Sequence, residues 1–93
     1  MTKDSIAQVL DAEGLSAGNQ GYAIPENREA VCLISAPGDV FTVDRLTRIE
    51  LREKHIVLEN SKRERFFFGY EDVLGLRLLA APAARDRVAG FTR

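Results

Sequence analysis

Apolar residues recur with a helical period only near the start of the chain. Ile6, Val9 and Leu10 are three and then one residue apart, a spacing that lines up one face of a helix. Gly14 follows within about one helical turn, and glycine favours the end of a helix. The pattern therefore predicts a short amphipathic helix over residues 4–14.

Residues 15–29 show neither a helical period nor strict alternation. The run SAGNQG at residues 16–21 is small and polar and holds two glycines, a composition typical of flexible connections. Gly21 is interpreted here as a linker glycine. We expect these residues to form a linker between the helix and the rest of the fold.

From residue 30 onward, apolar and polar residues alternate in short runs that turn residues separate. Pro37 and Gly38, for example, favour a tight turn after the first run. Alternation with a period of two predicts strands, and we expect five or six antiparallel strands joined as a meander over residues 30–79. The candidate strands cover residues 31–35, 40–43, 47–52, 55–59, 65–70 and 74–78.

A flat sheet of this size would leave one face and both edges in water, so we expect it to curl into a small barrel or roll. The predicted fold class is α+β and β-dominated, with one N-terminal helix followed by the meander. This order of elements resembles that of Sm-like barrels. The meander also resembles that of pleckstrin-homology-like (PH-like) domains, whose helix normally comes last. The resemblance covers roughly residues 4–79, rests on element order alone, and implies no function.

The chain has 93 residues, of which 45% are hydrophobic and 29% charged, an ordinary composition for a globular protein. This length allows one small core, so we expect a single domain over residues 1–79. Residues 80–93 are rich in alanine and arginine, with Pro82 near the start of this tail. We expect this tail to be flexible or to form a short helix that presents Val88 and Phe91.

Few residues in the chain offer catalytic or ligand chemistry. Cys32 and His55 are the only residues of their kinds, which excludes an intrachain disulfide and any site built from several cysteines or histidines. Glu71 and Asp72 are adjacent on a predicted turn, where their side chains diverge, whereas general acid-base chemistry needs convergent carboxylates. We therefore predict no enzymatic activity, no metal site and no cofactor.

The charge pattern disfavours nucleic acid as a partner. The net charge is −1, from 13 basic and 14 acidic residues. Acidic residues interleave with the basic ones, as where Arg63 and Arg65 flank Glu64, and this weakens the counterion release that drives nucleic-acid binding. The alternative remains a small RNA- or DNA-binding barrel that uses the basic hairpin at residues 62–65 and the aromatic residues at 66–70. Neither a signal segment nor a membrane span is predicted, so we expect a cytoplasmic protein.

The segment RFFFGY at residues 65–70 predicts the strand of greatest functional interest. Alternation sends Phe66, Phe68 and Tyr70 to one face and Phe67 to the other. Phe67 then needs separate cover, which could be the N-terminal helix, a second copy of the chain or a different protein.

These observations favour a non-enzymatic protein-interaction module, an adaptor or regulatory subunit of a cytoplasmic complex. Its partner would be another protein or a second copy of itself. Aromatic side chains would supply the hydrophobic anchor, and arginines would supply charge complementarity. The predicted contact residues are Lys62, Arg63, Arg65, Phe67, Val88 and Phe91.

Overall fold

The computed structural model describes residues 1–79, so the predicted tail and its candidates Val88 and Phe91 lie outside the described residues. One helix precedes eight strands. They are α1 (Lys3–Ala12), β1 (Ala17–Gly18), β2 (Gly21–Ala23), β3 (Glu29–Ala36), β4 (Asp39–Val43), β5 (Leu46–Leu51), β6 (His55–Asn60), β7 (Arg65–Gly69) and β8 (Val73–Leu79), with a one-turn 3-10 helix at Tyr70–Asp72 before β8.

The strands form two antiparallel sheets. The five-stranded sheet has the order β1-β2-β5-β6-β7, and the three-stranded sheet has the order β4-β3-β8. β5, β6 and β7 follow one another as a meander, whereas β8 returns to pair with β3. An α+β fold dominated by antiparallel strands is therefore confirmed. Closure into a barrel is not confirmed, because neither sheet of residues 1–79 closes on itself.

Helix α1 begins where the Thr2 hydroxyl accepts a hydrogen bond from the Ser5 backbone N–H, 3.0 Å away. Such an N-cap satisfies one of the free amides of the first turn. Ile6 and Leu10, one turn apart, are fully buried in the core. The apolar stripe predicted from the sequence thus anchors the helix against the sheets.

Arg28 ties the end of the helix to the end of β8. Its guanidinium donates to the Glu13 carbonyl at 2.8 Å, to a Glu13 carboxylate oxygen at 2.6 Å and to the Leu79 carbonyl at 3.2 Å. The Arg28 side chain is only 12% exposed. Three charge-assisted hydrogen bonds therefore join elements that are distant in sequence.

Residues 15–29 contain structure where a linker was expected. β1 and β2 form a short hairpin, and β2 pairs with β5 through Tyr22 and Ile49. Gly21 has a φ of +94°, and a Cβ at this position would lie 2.5 Å from the Ile49 carbonyl oxygen. The linker interpretation of Gly21 is therefore wrong, because the backbone of β2 approaches that of β5 too closely for any side chain.

One hydrophobic core lies beneath both sheets and the helix. The alternation of β5 is interrupted at its start, since Leu46 and Ile49 are both buried, three residues apart, and Thr47 is exposed. A bulge between Leu46 and Arg48 causes this interruption, and the Thr47 hydroxyl lies 3.2 Å from the Glu59 carbonyl, to which it donates. The core cluster comprises Ile6, Leu10, Leu15, Tyr22, Ile24, Ala30, Cys32, Ile34, Val43, Leu46, Ile49, Ile56, Leu58 and Val73.

Aromatic side chains bridge the edge strands β4 and β7, which belong to different sheets. The Phe41 ring lies 6.5 Å from that of Phe66 and 6.3 Å from that of Phe68. The Phe66 and Phe68 rings are nearly parallel, with centroids 6.5 Å apart. We call these three residues the aromatic seam. Phe41 is 46% exposed, so the seam is open to solvent on one side.

Candidate protein interaction surface

Phe67 projects from β7 on the side away from the core. Phe66, Phe68 and Tyr70 pack against the core cluster, as the alternation predicts, whereas the Phe67 side chain is 52% exposed. We call the outer surface of β5, β6 and β7 the Phe67 face. Its members, taken from the strand registers and, for Arg52, from its backbone hydrogen bond to His55, are Arg48, Glu50, Arg52, His55, Val57, Glu59, Arg65 and Phe67.

Three side chains lie close to the Phe67 ring: Arg65 of β7, His55 of β6 and Arg52, which directly follows β5. The guanidinium carbon of Arg65 lies 5.5 Å from the ring centroid, and that of Arg52 lies 5.9 Å from it. The His55 ring lies 6.0 Å away at an angle of 47°. Cations at such distances are attracted to the negative face of an aromatic ring. The two arginines therefore hold Phe67 in place while leaving half of it accessible.

Glu50 balances these arginines at the centre of the face. Its carboxylate accepts a hydrogen bond from Arg52 at 2.8 Å and lies 3.8 Å from an Arg65 guanidinium nitrogen. The hydrogen bond from Arg52, together with the charges of Arg52, Arg65 and Arg48, lowers the pKa of the Glu50 carboxyl below its usual value. Glu50 is thus an anion shared among several cations.

Arg48 and Glu59 form a further ion pair beside this cluster, with 3.6 Å between their charged atoms. The Phe67 face therefore carries three guanidinium groups and two carboxylates. A depression of about 340 Å³ on this face is lined by these five side chains and by Asn19 and Gln20 of the β1–β2 turn. Its lining includes Arg52 and Arg65, the two arginines that also contact the Phe67 ring, so the face combines polar contacts with an exposed apolar side chain, as protein interfaces do.

Val57 forms an apolar base beneath the charged side chains. It stands opposite Glu50 on one neighbouring strand and opposite Phe67 on the other. Although it points away from the core cluster, Val57 is only 2% exposed. The stems of neighbouring long side chains can cover such a residue while their charged ends stay in water.

The N-terminal helix, one of the three possible covers, does not cover Phe67. Ile6 and Leu10 are buried in the core, on the opposite side of the sheet from the Phe67 ring. The reason is that the two sheets leave an apolar interior that the helix fills. Of the three possible covers, a second copy and a different protein remain.

The structure brings Arg65 to Phe67 but places Lys62 elsewhere. Lys62 lines a second depression of about 350 Å³ near Phe66, on the side of the aromatic seam. Arg63 sits in the β6–β7 turn with a φ of +65°, and its N–H donates to the Asn60 carbonyl at 2.9 Å. The predicted basic contact residues Lys62 and Arg65 therefore lie on two different surfaces.

The sequence did not predict three members of this surface, namely Arg52, His55 and Glu50. The alternation in β5 does indicate that Arg48, Glu50 and Arg52 point outward. Their proximity to Phe67 depends on the register across three strands, in which His55 stands opposite Gly69 and Val57 opposite Phe67. A period of two predicts the face of a residue but not its cross-strand neighbours.

Other exposed apolar residues lie on the three-stranded sheet. Leu74 is 53% exposed and Val40 is 48% exposed. Leu74 matches Phe67 in exposure but belongs to β8, so it offers a control position for substitutions at Phe67.

Within residues 1–79, no group of three or more His, Cys, Asp and Glu side chains is arranged to hold a metal ion. Cys32 is fully buried, and burial raises the pKa of its thiol to about 11. A buried thiol with a raised pKa is a poor nucleophile.

The helices within residues 1–79 are too short or too polar to span a bilayer. Comparison of the chain with protein-family models, with curated proteins and with solved structures gives no match.

Proposed function

We propose that the protein is a non-enzymatic interaction module, an adaptor or regulatory subunit of a cytoplasmic complex, that binds protein through the Phe67 face. The observation that carries the proposal is an exposed phenylalanine held between Arg52 and Arg65. Aromatic residues, phenylalanine among them, and arginine are enriched at protein interfaces relative to the rest of the surface.

The energetics of Phe67 support an interface role. Full burial of a phenylalanine side chain stabilises by roughly 1.5–3 kcal/mol, so covering the exposed half of this ring is worth about 1 kcal/mol. Desolvation strengthens a cation–π contact from about 0.5–1 to about 2 kcal/mol. A partner that covers Phe67 and its two arginines would therefore gain from both effects.

Single-stranded nucleic acid is the second candidate, favoured by the same ring and arginines. Bases stack on exposed aromatic side chains, and arginine adds cation–π contacts in proteins that bind single strands. The ion pairs of Arg52 with Glu50 and of Arg48 with Glu59 weigh against it, because carboxylates repel phosphates. A protein partner is not repelled in this way, because its surface can offer both basic and acidic side chains to the face.

The test compares capture of binding proteins from a native lysate by three immobilised forms of the chain. These are the wild type, Phe67→Asp and the matched control Leu74→Asp. Circular dichroism and urea unfolding first establish that both variants are folded. We expect a protein that binds the wild type and Leu74→Asp to be lost from Phe67→Asp, with purified components showing at least about 30-fold weaker affinity.

Two results would contradict the proposal. If Phe67→Asp is folded and retains every partner of the wild type, the Phe67 face is not the binding surface. If the wild type binds single-stranded RNA or DNA at low salt, and Arg63→Glu/Arg65→Glu abolishes this binding, the nucleic-acid candidate replaces it.

A further inference from the structure

The outer edge of β7 carries backbone groups that point away from the molecule. The Asn60 N–H donates to the Glu64 carbonyl at 3.1 Å, and this pair belongs to the register in which Leu58 stands opposite Phe66. Hydrogen-bonded pairs alternate along antiparallel strands, so Phe66 bonds to β6 through its backbone and Phe67 does not.

Arg65, Phe67 and Gly69 therefore direct their N–H and C=O groups to the free edge. No backbone group within residues 1–79 pairs with them there. Charged side chains, above all lysine, together with proline and bulges are the usual devices that protect an edge strand. β7 has no proline, lysine or bulge, and its one charged residue is Arg65 at its start. The edge is therefore suited to bind another strand.

The sequence of β7 is complementary to itself when two copies run antiparallel about Phe67. This register sets Phe67 opposite Phe67, Phe66 opposite Phe68 and Arg65 opposite Gly69, as follows from their order in the strand. Aromatic residues then meet aromatic residues, and no arginine stands opposite an arginine. Aromatic cross-strand pairs stabilise a sheet, whereas like charges directly opposite destabilise it.

Glu71 supplies the charge that Arg65 of the other copy would meet. A Cβ on Gly69 would lie 2.8 Å from a Glu71 carboxylate oxygen, so this carboxylate occupies the place of the missing Gly69 side chain. The glycine position points to the same face as Arg65 and Phe67, because these residues are two apart. In the antiparallel register, each Arg65 guanidinium would therefore stand opposite a Glu71 carboxylate.

The aromatic seam adds an apolar contribution on the other face of the strand. Phe66 and Phe68 point there together, and Phe41 packs on both rings. Bringing Phe66 of one copy opposite Phe68 of the other would join the two seams into one aromatic layer. This layer would cover part of the exposed Phe41 ring.

We propose that the free edge of β7 binds a second copy of this chain, in a two-fold antiparallel pairing centred on Phe67 and flanked by two Arg65–Glu71 ion pairs. The proposal rests on the proposed function in one respect, since both place Phe67 in a protein interface. A dimer of this kind has the same surface on both partners, as two-fold interfaces require. Its outer face would present both sets of arginines to a further protein.

The test uses two charge variants, Arg65→Glu and Glu71→Arg, and sedimentation equilibrium over a range of concentrations. In a dimer of Arg65→Glu two glutamates oppose two glutamates, and in a dimer of Glu71→Arg two arginines oppose two arginines. We expect each variant alone to self-associate about tenfold more weakly than the wild type. Mixed in equal amounts, the two variants pair glutamate with arginine at both contacts, so we expect dimers to return.

Phe67→Lys is the second arm, with Leu74→Lys as its control at matched exposure. Two lysines would face each other at the two-fold axis, and we expect self-association to fall by at least about tenfold. Leu74→Lys is expected to dimerise like the wild type. Circular dichroism of each variant separates loss of pairing from loss of folding.

Three results would overturn the inference. They are a wild type that remains monomeric at millimolar concentration, a mixture of charge variants that stays as dissociated as its components, and a dimer that Leu74→Lys disrupts. Failure here is distinguishable from failure of the proposed function. If the wild type is monomeric but loses a captured partner on Phe67→Asp, the dimer alone is refuted. If the chain dimerises through β7 but its other captured proteins bind Phe67→Asp as they bind the wild type, only the adaptor role is refuted.

Discussion

Replacing Gly21 with alanine tests how β2 positions the strand that carries Glu50. Gly21 has a φ of +94°, in the left-handed half of backbone space where a Cβ is strained. The added Cβ would also lie 2.5 Å from the Ile49 carbonyl oxygen and 2.8 Å from the Glu50 Cα. Both neighbours are backbone atoms, which cannot rotate away as a side chain can.

The expected loss of stability combines two effects. A left-handed backbone costs a residue with a Cβ roughly 1–2 kcal/mol, and overpacking against a closed structure costs roughly 1–3 kcal/mol more. Gly38 provides the matched control, because its φ is +72° and nothing lies within 4 Å of a Cβ there. We therefore expect Gly21→Ala to lower the free energy of unfolding by about 2–5 kcal/mol and Gly38→Ala by about 1–2 kcal/mol.

Urea unfolding of the wild type and both variants measures this difference, with the slope of the transition checked for constancy. A Gly21→Ala variant as stable as Gly38→Ala would refute the close approach of β2 to β5. A larger change than that of Gly38→Ala, accompanied by amide shift changes at Glu50 in an NMR spectrum, would support it. The NMR measurement is needed because a shift at Glu50 connects the contact between β2 and β5 to the Phe67 face, whereas unfolding reports stability alone.

Two further predictions concern the helix anchor and the buried thiol. Arg28→Met removes the hydrogen bonds to Glu13 and Leu79, and we expect urea unfolding to show a loss of about 1–3 kcal/mol, with Arg28→Lys intermediate; an unchanged midpoint would contradict the anchor. Burial raises the Cys32 thiol pKa to about 11, so the unfolded thiol ionises first and the free energy of unfolding falls as pH rises from about 9 to about 11. In the same pH series, the free energy of unfolding of Cys32→Ala should fall less steeply. Equal slopes for the two proteins would refute the raised pKa of the buried thiol.

The strands of residues 30–79 were predictable because their signal is local. Each predicted run matches an observed strand, with bounds that differ by a residue or two, since alternation depends only on neighbouring residues. The division into two sheets was not predictable in this way. It depends on β8 pairing with β3 across the whole meander, and no local pattern records such a distant partner.

The short strands β1 and β2 escaped prediction for a related reason. They have two and three residues, too few to show a period, and their glycines favour a linker interpretation. The orientation of Phe67 was predictable from the period of β7, but its contacts with Arg52 and His55 were not. Those contacts arise from register and from the twist of neighbouring strands, which a single sequence does not specify.

The two edges of the five-stranded sheet differ greatly in length, and this difference limits growth. β7 offers five residues to an incoming strand, whereas β1 at the opposite edge has only two. Pairing of β7 with β7 would consume the long edge of both copies and leave only the two-residue edges at the ends of the combined sheet. Addition of further copies would then have little backbone to continue on, so edge pairing of this sheet should stop at a closed pair instead of propagating into a fibre.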